Sequence, residues 1–132
     1  MVETSAAPTV AHTARAMGRD PEEIDAAYHT LADEHQIVLR PDSSRVWMAM
    51  PFSNVPTPFT VIAQGRAYYA NCAWDAFGIP AMLKTDARIF STCADCGEVL
   101  ERQVANGEVT DRRGVVHFAL PVRRWWDDVG YT

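Results

Sequence analysis

A cysteine and an aspartate three residues apart, Cys72 and Asp75, are the pair of residues best suited to chemistry in this sequence. If they are helical, this spacing places both side chains on one face. A cysteine in the first turn of a helix lies near unpaired N–H groups and the helix dipole, which favour its thiolate. Cys72 is therefore a candidate nucleophile or soft-metal ligand, and Asp75 a candidate proton carrier. The alternative is a buried small hydrophobic residue beside an ordinary first-turn acid.

A second candidate is the Cys-x-x-Cys sequence of Cys93 and Cys96, predicted to lie on a turn between strands. Such a pair is half of a structural zinc site, which needs two further ligands. The other candidate ligands in this half are Cys72 and His117, so a closed site requires both to converge on the pair. A redox pair is a further alternative, although no thioredoxin-like βαβ pattern surrounds it. The simplest alternative is a tight turn with one cysteine packed inward.

The elements that position these residues are mostly predicted strands. Asn71 is predicted to cap a helix over residues 72–77, which Gly78 and Pro80 end, with a short second helix or turn at 80–83. Alternating or β-prone runs predict strands at 59–62, 67–70, 87–91, 98–104 and 115–120, and Asn106-Gly107 is a hairpin signal. The second half of the chain is therefore predicted to be mostly antiparallel β with one or two short helices.

The first 50 residues are predicted to form two helices and a hairpin. Thr9 and Asp20 are suitable helix caps, and Ile24, Tyr28 and Leu31 form an apolar stripe on the second helix. Runs at 37–39 and 46–50 flank a turn and predict a β-hairpin. This order predicts a short winged-helix-like segment at 1–50, and the proline-rich run 51–59 predicts a boundary before a core domain at 51–132.

Composition and charge exclude several classes of function. The sequence has 132 residues, is 48% hydrophobic and has a net charge of −5. Residues 1–50 carry four basic and eight acidic residues, which argues against nucleic acid as a partner of the winged-helix-like segment. There is no apolar run near the roughly 20 residues of a membrane span, and no signal peptide pattern at the start. Three cysteines do not make a disulfide framework, so we expect a cytoplasmic protein.

Residues 69–81, Tyr-Ala-Asn-Cys-Ala-Trp-Asp-Ala-Phe-Gly-Ile-Pro-Ala, resemble the core motif of the organomercurial (alkylmercury) lyase family. The resemblance is good from about residue 52 to 97 and loose before residue 45. It implies an α+β fold with a winged-helix-like N-terminal segment before a mostly antiparallel sheet. It also implies a lyase that cleaves carbon–mercury bonds by protonolysis, giving a hydrocarbon and Hg(II), in mercury detoxification.

The resemblance assigns roles to the candidate residues. Cys72 would bind mercury, a soft ion that prefers thiolates, and Asp75 would take the thiol proton and return it to the leaving carbon. No cofactor is implied; cellular thiols would act as co-reactant, and a mercuric reductase is a candidate partner for Hg(II). Cys93 falls at a family cysteine considered structural, and Cys96 has no family counterpart. The candidates for an apolar pocket are Phe59, Tyr68, Tyr69, Trp74 and Phe77.

By the same resemblance, the family's second mercury-binding cysteine would follow Thr132. Three explanations stay open: an inactive relative that binds mercury through one thiol, a metal set of Cys72 with Cys93 and Cys96, or a selenocysteine codon read as a stop. The third is favoured, because 123–132 is predicted to belong to a strand-forming unit. The rival functions are a non-catalytic mercury-binding or winged-helix regulatory module, and a zinc or redox protein. The sequence leaves open the natural substrate, the oligomeric state and whether mercury is the physiological metal.

Overall fold

The computed structural model of the chain describes residues 1–130. Within these residues lie the helices α1 (Val10–Met17), α2 (Pro21–Asp33) and α3 (Ala73–Leu83), and a short 3-10 helix, Val122–Asp127. The strands are β1 (Val38–Leu39), β2 (Val46–Ala49), β3 (Phe52–Ser53), β4 (Thr60–Ala63), β5 (Arg66–Ala70), β6 (Ala87–Thr92), β7 (Val99–Ala105) and β8 (Glu108–Val109). Helices that precede an antiparallel sheet confirm the predicted α+β class.

The strands form one antiparallel sheet in the order β1-β2-β3-β5-β4-β6-β7-β8. At its centre β3 pairs with β5 through Phe52 opposite Ala70 and Ser53 opposite Tyr69. On its other side β3 pairs with β2. The sheet is therefore continuous across position 50, and the division into segments 1–50 and 51–132 stays a prediction.

The two N-terminal helices begin where the sequence indicates. The Thr9 side chain accepts a hydrogen bond from the His12 N–H, and the Asp20 side chain accepts one from the Glu22 N–H. On the inner face of α2, Ile24 and Tyr28 are buried in a cluster with residues of α1 and β2. Capping and the apolar stripe together fix these helices against the edge of the sheet.

Three hairpins are present, formed by β1 with β2, β4 with β5, and β7 with β8. The β4–β5 turn holds Gln64 and Gly65 at φ 51° and 71°, and the β7–β8 turn holds Asn106 and Gly107 at φ 52° and 79°. Two consecutive residues with positive φ match the right-handed twist of a two-stranded ribbon. This explains why the Asn106-Gly107 sequence correctly predicted a hairpin turn.

The helix α3 differs from its prediction in two ways. It starts one residue later, because Cys72 rather than Asn71 is its N-cap, and it continues through Gly78 and Pro80 to Leu83. Pro80 cannot donate a helical hydrogen bond, a cost of about 3 kcal/mol in a helix interior, but its ring is fully buried in the core. At Gly78 an added Cβ would lie 3.3 Å from Cβ of Pro51, so the glycine permits close packing.

The strand predicted at 115–120, near the C-terminus, is not formed. Residues 115–120 have no regular secondary structure, and Val115 is 93% exposed, so the apolar alternation does not follow a buried sheet face. The predicted strand-forming unit at 123–132 contains the 3-10 helix instead, and its last two residues lie outside the described part. This segment folds back towards β2 and the start of α3, since Phe118, Trp125 and Trp126 share a cavity with Met48 and Cys72.

The main core lies between α3 and the central strands. Ile79 of α3, Val61 of β4 and Tyr68 and Ala70 of β5 are at most 2% exposed. Burial of a side chain of this size contributes about 1.5–3 kcal/mol. This packing holds the first turn of α3 rigidly at the end of β5. None of the described helices has the length and apolarity needed to cross a bilayer.

Candidate active site

The candidate site begins where β5 ends and α3 starts. Ala70, the last residue of β5, is fully buried, and its carbonyl accepts a 2.6 Å hydrogen bond from Oγ1 of Thr57. Asn71 and Cys72 follow at once, and the Cys72 carbonyl accepts the N–H of Ala76 at 3.1 Å. The proline-rich loop thus holds the backbone at Ala70, and the helix holds it at Cys72.

Cys72 and Asp75 contact each other, as their spacing predicts. The backbone N–H of Asp75 lies 3.5 Å from Sγ of Cys72, which accepts it as the side-chain cap of the helix. The thiol and the Asp75 carboxylate also interact, since each affects the pKa of the other. Both side chains are half-buried. A proton on sulfur therefore has an acceptor within direct reach.

The electrostatics of Cys72 differ from the expected stabilised thiolate. Burial raises the pKa of Cys72, and the neighbouring Asp75 charge raises it further, while backbone N–H groups of Asp75 and Trp74 only partly oppose this. The favourable effect of the helix start on the thiolate is thus outweighed by desolvation. Cys72 is therefore favoured as a thiol beside the Asp75 carboxylate.

Burial also raises the pKa of Asp75 above its ordinary value, although hydrogen bonds from Asn71 and Cys72 oppose the shift. A carboxyl group with a raised pKa retains a proton more readily at neutral pH. Asp75 is therefore suited to accept a proton in one step and donate it in another.

Asn71 is a site residue that the sequence reasoning assigned only to capping. Its Nδ2 donates a 3.2 Å hydrogen bond to Oδ2 of Asp75. Its Oδ1 is buried, and no residue of the described chain hydrogen-bonds it. The sequence signal for this role is an amide side chain directly before the candidate nucleophile, at the end of a buried strand.

A cavity of about 110 Å³ opens beside these groups. It is lined by Met48, Met50, Asn71, Cys72, Asp75, Phe118, Trp125, Trp126, Val129 and Gly130. The lining is mostly apolar, and its polar groups are concentrated at the start of α3. The cavity can therefore hold a small apolar group directly against the thiol and the carboxylate.

The aromatic wall of the cavity is not the predicted one. Phe118 and Trp125 have ring centroids 5.1 Å apart, and Trp74 meets the edge of Phe118 at 6.3 Å from outside the lining. The Trp125 indole donates to the Leu120 carbonyl at 3.1 Å. Of the predicted pocket aromatics, Tyr68 is instead buried in the main core. The aromatic wall comes instead from the C-terminal segment, through Phe118 and Trp125. Irregular structure leaves no periodic pattern in the sequence, so this wall could not be predicted from it.

Cys93 and Cys96 lie elsewhere, on the turn between β6 and β7, and neither lines the cavity. The described residues contain no group of three His, Cys, Asp or Glu side chains that could hold a metal, so Cys72 and His117 do not complete a closed zinc site with the pair there. Backbone N–H groups of Cys96 and Asp95 lower the pKa of Cys93.

Comparison with known proteins identifies the class. A family model described as MerB, alkylmercury lyase, matches residues 52–132, which is more than half of the chain. The chain therefore belongs to the alkylmercury lyase family, as the motif at 69–81 predicted. No curated protein sequence matches it.

Solved structures give the same relationship. One of them, titled as the crystal structure of the mercury-bound form of MerB2, is 26% identical with a TM-score of 0.67. The match covers 83% of this chain and 53% of that chain. The present chain thus spans about half the length of this structural relative.

Proposed function

We propose that this protein is an organomercurial lyase-like enzyme that cleaves carbon–mercury bonds by protonolysis. The observation that carries the proposal is that Cys72 and Asp75 lie side by side at the wall of a small, mostly apolar cavity, where the Asp75 N–H donates to Sγ of Cys72. Membership of the alkylmercury lyase family supports it. The proposed substrate is a small organomercurial cation, R–Hg⁺, carried into the site as a thiol adduct.

In the first proposed step, Cys72 binds mercury through sulfur. Soft thiolates are preferred ligands of soft metal ions, and the Cys72 proton has to leave as the S–Hg bond forms. The Asp75 carboxylate, which lies beside the thiol, takes this proton. The neutral carboxyl group then faces the mercury-bound carbon, and the charge of Asp75 no longer opposes the thiolate.

In the second proposed step, Asp75 returns the proton to carbon. The electron pair of the C–Hg bond forms the new C–H bond, the hydrocarbon leaves, and Hg(II) stays on Cys72 beside the regenerated carboxylate. Ligation by sulfur makes the carbon more basic, and the raised pKa of Asp75 keeps the proton available until then. The aromatic wall excludes water from the leaving group.

A second thiolate ligand is proposed to come from cellular thiols. Because Cys93 and Cys96 do not line the cavity, we do not include them in the proposed mercury site of the reaction. A cellular thiol can enter as the adduct that carries the substrate and then remove Hg(II) from Cys72 by ligand exchange. A mercuric reductase is the proposed recipient of the product, and no resident cofactor is required by these steps.

The test is turnover of phenylmercury with excess thiol, followed by benzene release. We expect Cys72→Ser to abolish benzene release, and Asp75→Asn to slow it by about a hundredfold or more while mercury binding to Cys72 persists. Val115→Ala is the matched control, since this exposed residue lies outside the cavity. Full activity of Cys72→Ser would overturn the proposal.

A further inference from the structure

The turn between β6 and β7 carries two cysteines that the proposed reaction does not use. The Cys93 N–H donates to the Glu98 carbonyl at 2.8 Å, and the Gly97 N–H donates to the Cys93 carbonyl at 2.9 Å. Gly97 has φ 74°, a left-handed conformation that lets the chain reverse after Cys96. These bonds hold the backbone of the turn in one closed form.

The two cysteines lie on this one closed turn. The bond from the Gly97 N–H to the Cys93 carbonyl closes the backbone around them, so residues 93 and 96 are brought close together. The nearby backbone N–H groups of Cys96 and Asp95 also lower the pKa of Cys93. Neither cysteine is in a disulfide; Cys93 is half-buried and Cys96 is exposed. The pair is thus open to a ligand from solvent.

The number of donors at the turn decides which ligand fits. No third His, Cys, Asp or Glu side chain joins the two sulfurs to make a metal-binding group among residues 1–130. A structural zinc ion takes four protein ligands, whereas a soft ion such as Hg(II) binds strongly to thiolates alone. Two adjacent thiolates therefore favour a soft cation whose other positions stay open to external thiols.

We propose that Cys93 and Cys96 form a surface dithiol site that chelates one Hg(II) ion, separate from Cys72. Two S–Hg bonds form, two thiol protons are released to solvent, and no electron is transferred. The site is defined by chain geometry alone and does not require carbon–mercury cleavage. Its failure and the failure of the proposed lyase activity are therefore distinguishable.

The experiment uses the full chain with Cys72→Ser, so that only the turn cysteines remain. We titrate HgCl₂ against a competing monothiol, follow the ultraviolet sulfur-to-mercury charge-transfer band, and record the native mass. We expect one Hg(II) per chain, and roughly a hundredfold weaker binding after a further Cys96→Ser or Cys93→Ser change, because chelation is lost. Asp33→Asn in the same background should leave the affinity within about twofold, since this exposed residue at the end of α2 leaves the turn unchanged.

Two results would overturn the proposal. One is equal Hg(II) affinity with and without Cys96, which would leave a single thiol as the ligand. The other is a native mass with one Hg(II) per two chains, which would mean that the sulfurs bridge molecules. Cys96 is exposed, so its serine variant should keep the fold, and circular dichroism verifies this independently of mercury.

Discussion

The side-chain amide of Asn71 donates a 3.2 Å hydrogen bond to the carboxylate of Asp75, and both residues line the cavity that contains Cys72. The bond connects the residue before the thiol with the residue three positions after it. It also lowers the pKa of Asp75 against the larger effect of burial. Asn71 therefore acts as a positioning residue: it sets where the carboxylate points and how readily it loses its proton.

Replacement of Asn71 by leucine should change the pH dependence of turnover. Without the amide donor, the pKa of Asp75 rises further, so the acidic limb of kcat/KM moves to higher pH. We also expect kcat to fall about tenfold, because the carboxylate is less well oriented. The measurement is a pH–rate profile for phenylmercury. Asn71→Ser, which keeps an O–H donor, should recover part of the shift, and an unchanged profile for Asn71→Leu would contradict the assigned role.

The buried carboxylate of Asp75 should cost stability at neutral pH. Its pKa in the folded protein is raised above the ordinary value of 3.8, so the folded state binds more protons than the unfolded state between these two values. This contribution to stability is fully present below about pH 3.8 and is lost as pH rises through the folded pKa. Asp75→Asn removes the charge at every pH.

We therefore expect Asp75→Asn to melt a few degrees above the unchanged protein at pH 8, with the difference shrinking as pH falls. Thermal unfolding by circular dichroism across this range measures it. Asp33→Asn, at the exposed end of α2, controls for the loss of one negative charge. A variant less stable at pH 8 would show that the carboxylate supports the fold.

The pH dependence of Cys72 alkylation should report the effect of Asp75 on the pKa of the thiol. The Asp75 charge and its hydrogen bond both raise the pKa of Cys72. In a background of Cys93→Ser and Cys96→Ser, we expect Asp75→Asn to lower the pH at which iodoacetamide modification reaches half its maximal rate. Asp33→Asn should leave this midpoint in place. A midpoint that rises in Asp75→Asn would mean that the carboxylate assists ionisation.

Phe118 should limit the size of the organic group. It lines a cavity of about 110 Å³ and packs on Trp125 at 5.1 Å. Truncation to alanine enlarges the space beside Cys72 and removes one wall for small groups. We expect the ratio of kcat/KM for phenylmercury over methylmercury to rise roughly tenfold. The reason is that apolar contact worth about one to two kcal/mol is lost for methylmercury, whereas the enlarged space accommodates the phenyl group. Val115→Ala, in the same segment, should not change the ratio.

The parts of the fold predicted from sequence are those specified by short-range rules. Thr9 and Asp20 cap helices through their own side chains, and Asn106-Gly107 adopts the φ values that a tight hairpin requires. Pro80 and Val115 show where such rules fail. The helix continues through Pro80 because the core buries its ring, and the strand at Val115 is missing because this residue faces solvent.

The candidate site likewise has features that short-range sequence rules predict and features that they do not. The contact of Cys72 with Asp75 follows from helical spacing and was predictable. The raised pKa of Cys72 was not, because the burial that dominates it comes from the surrounding packing. The same holds for Phe118 and Trp125, which approach the thiol from more than 40 positions away in sequence. Long-range contacts of irregular segments leave no periodic pattern.

The two-residue strand β3 has a dynamic consequence. Phe52 and Ser53 connect β2 to β5 in the ladder, with one further backbone bond from the Asn54 N–H to the Trp47 carbonyl. The cavity has Met48 on one side of this junction and Cys72 on the other. Few backbone hydrogen bonds have to break for the two sides to separate, so local breathing can widen the cavity without global unfolding. We expect amide hydrogens of β3 to exchange with solvent faster than those of β4 to β6. Widening of the cavity by this local opening would increase access of the proposed substrate to Cys72.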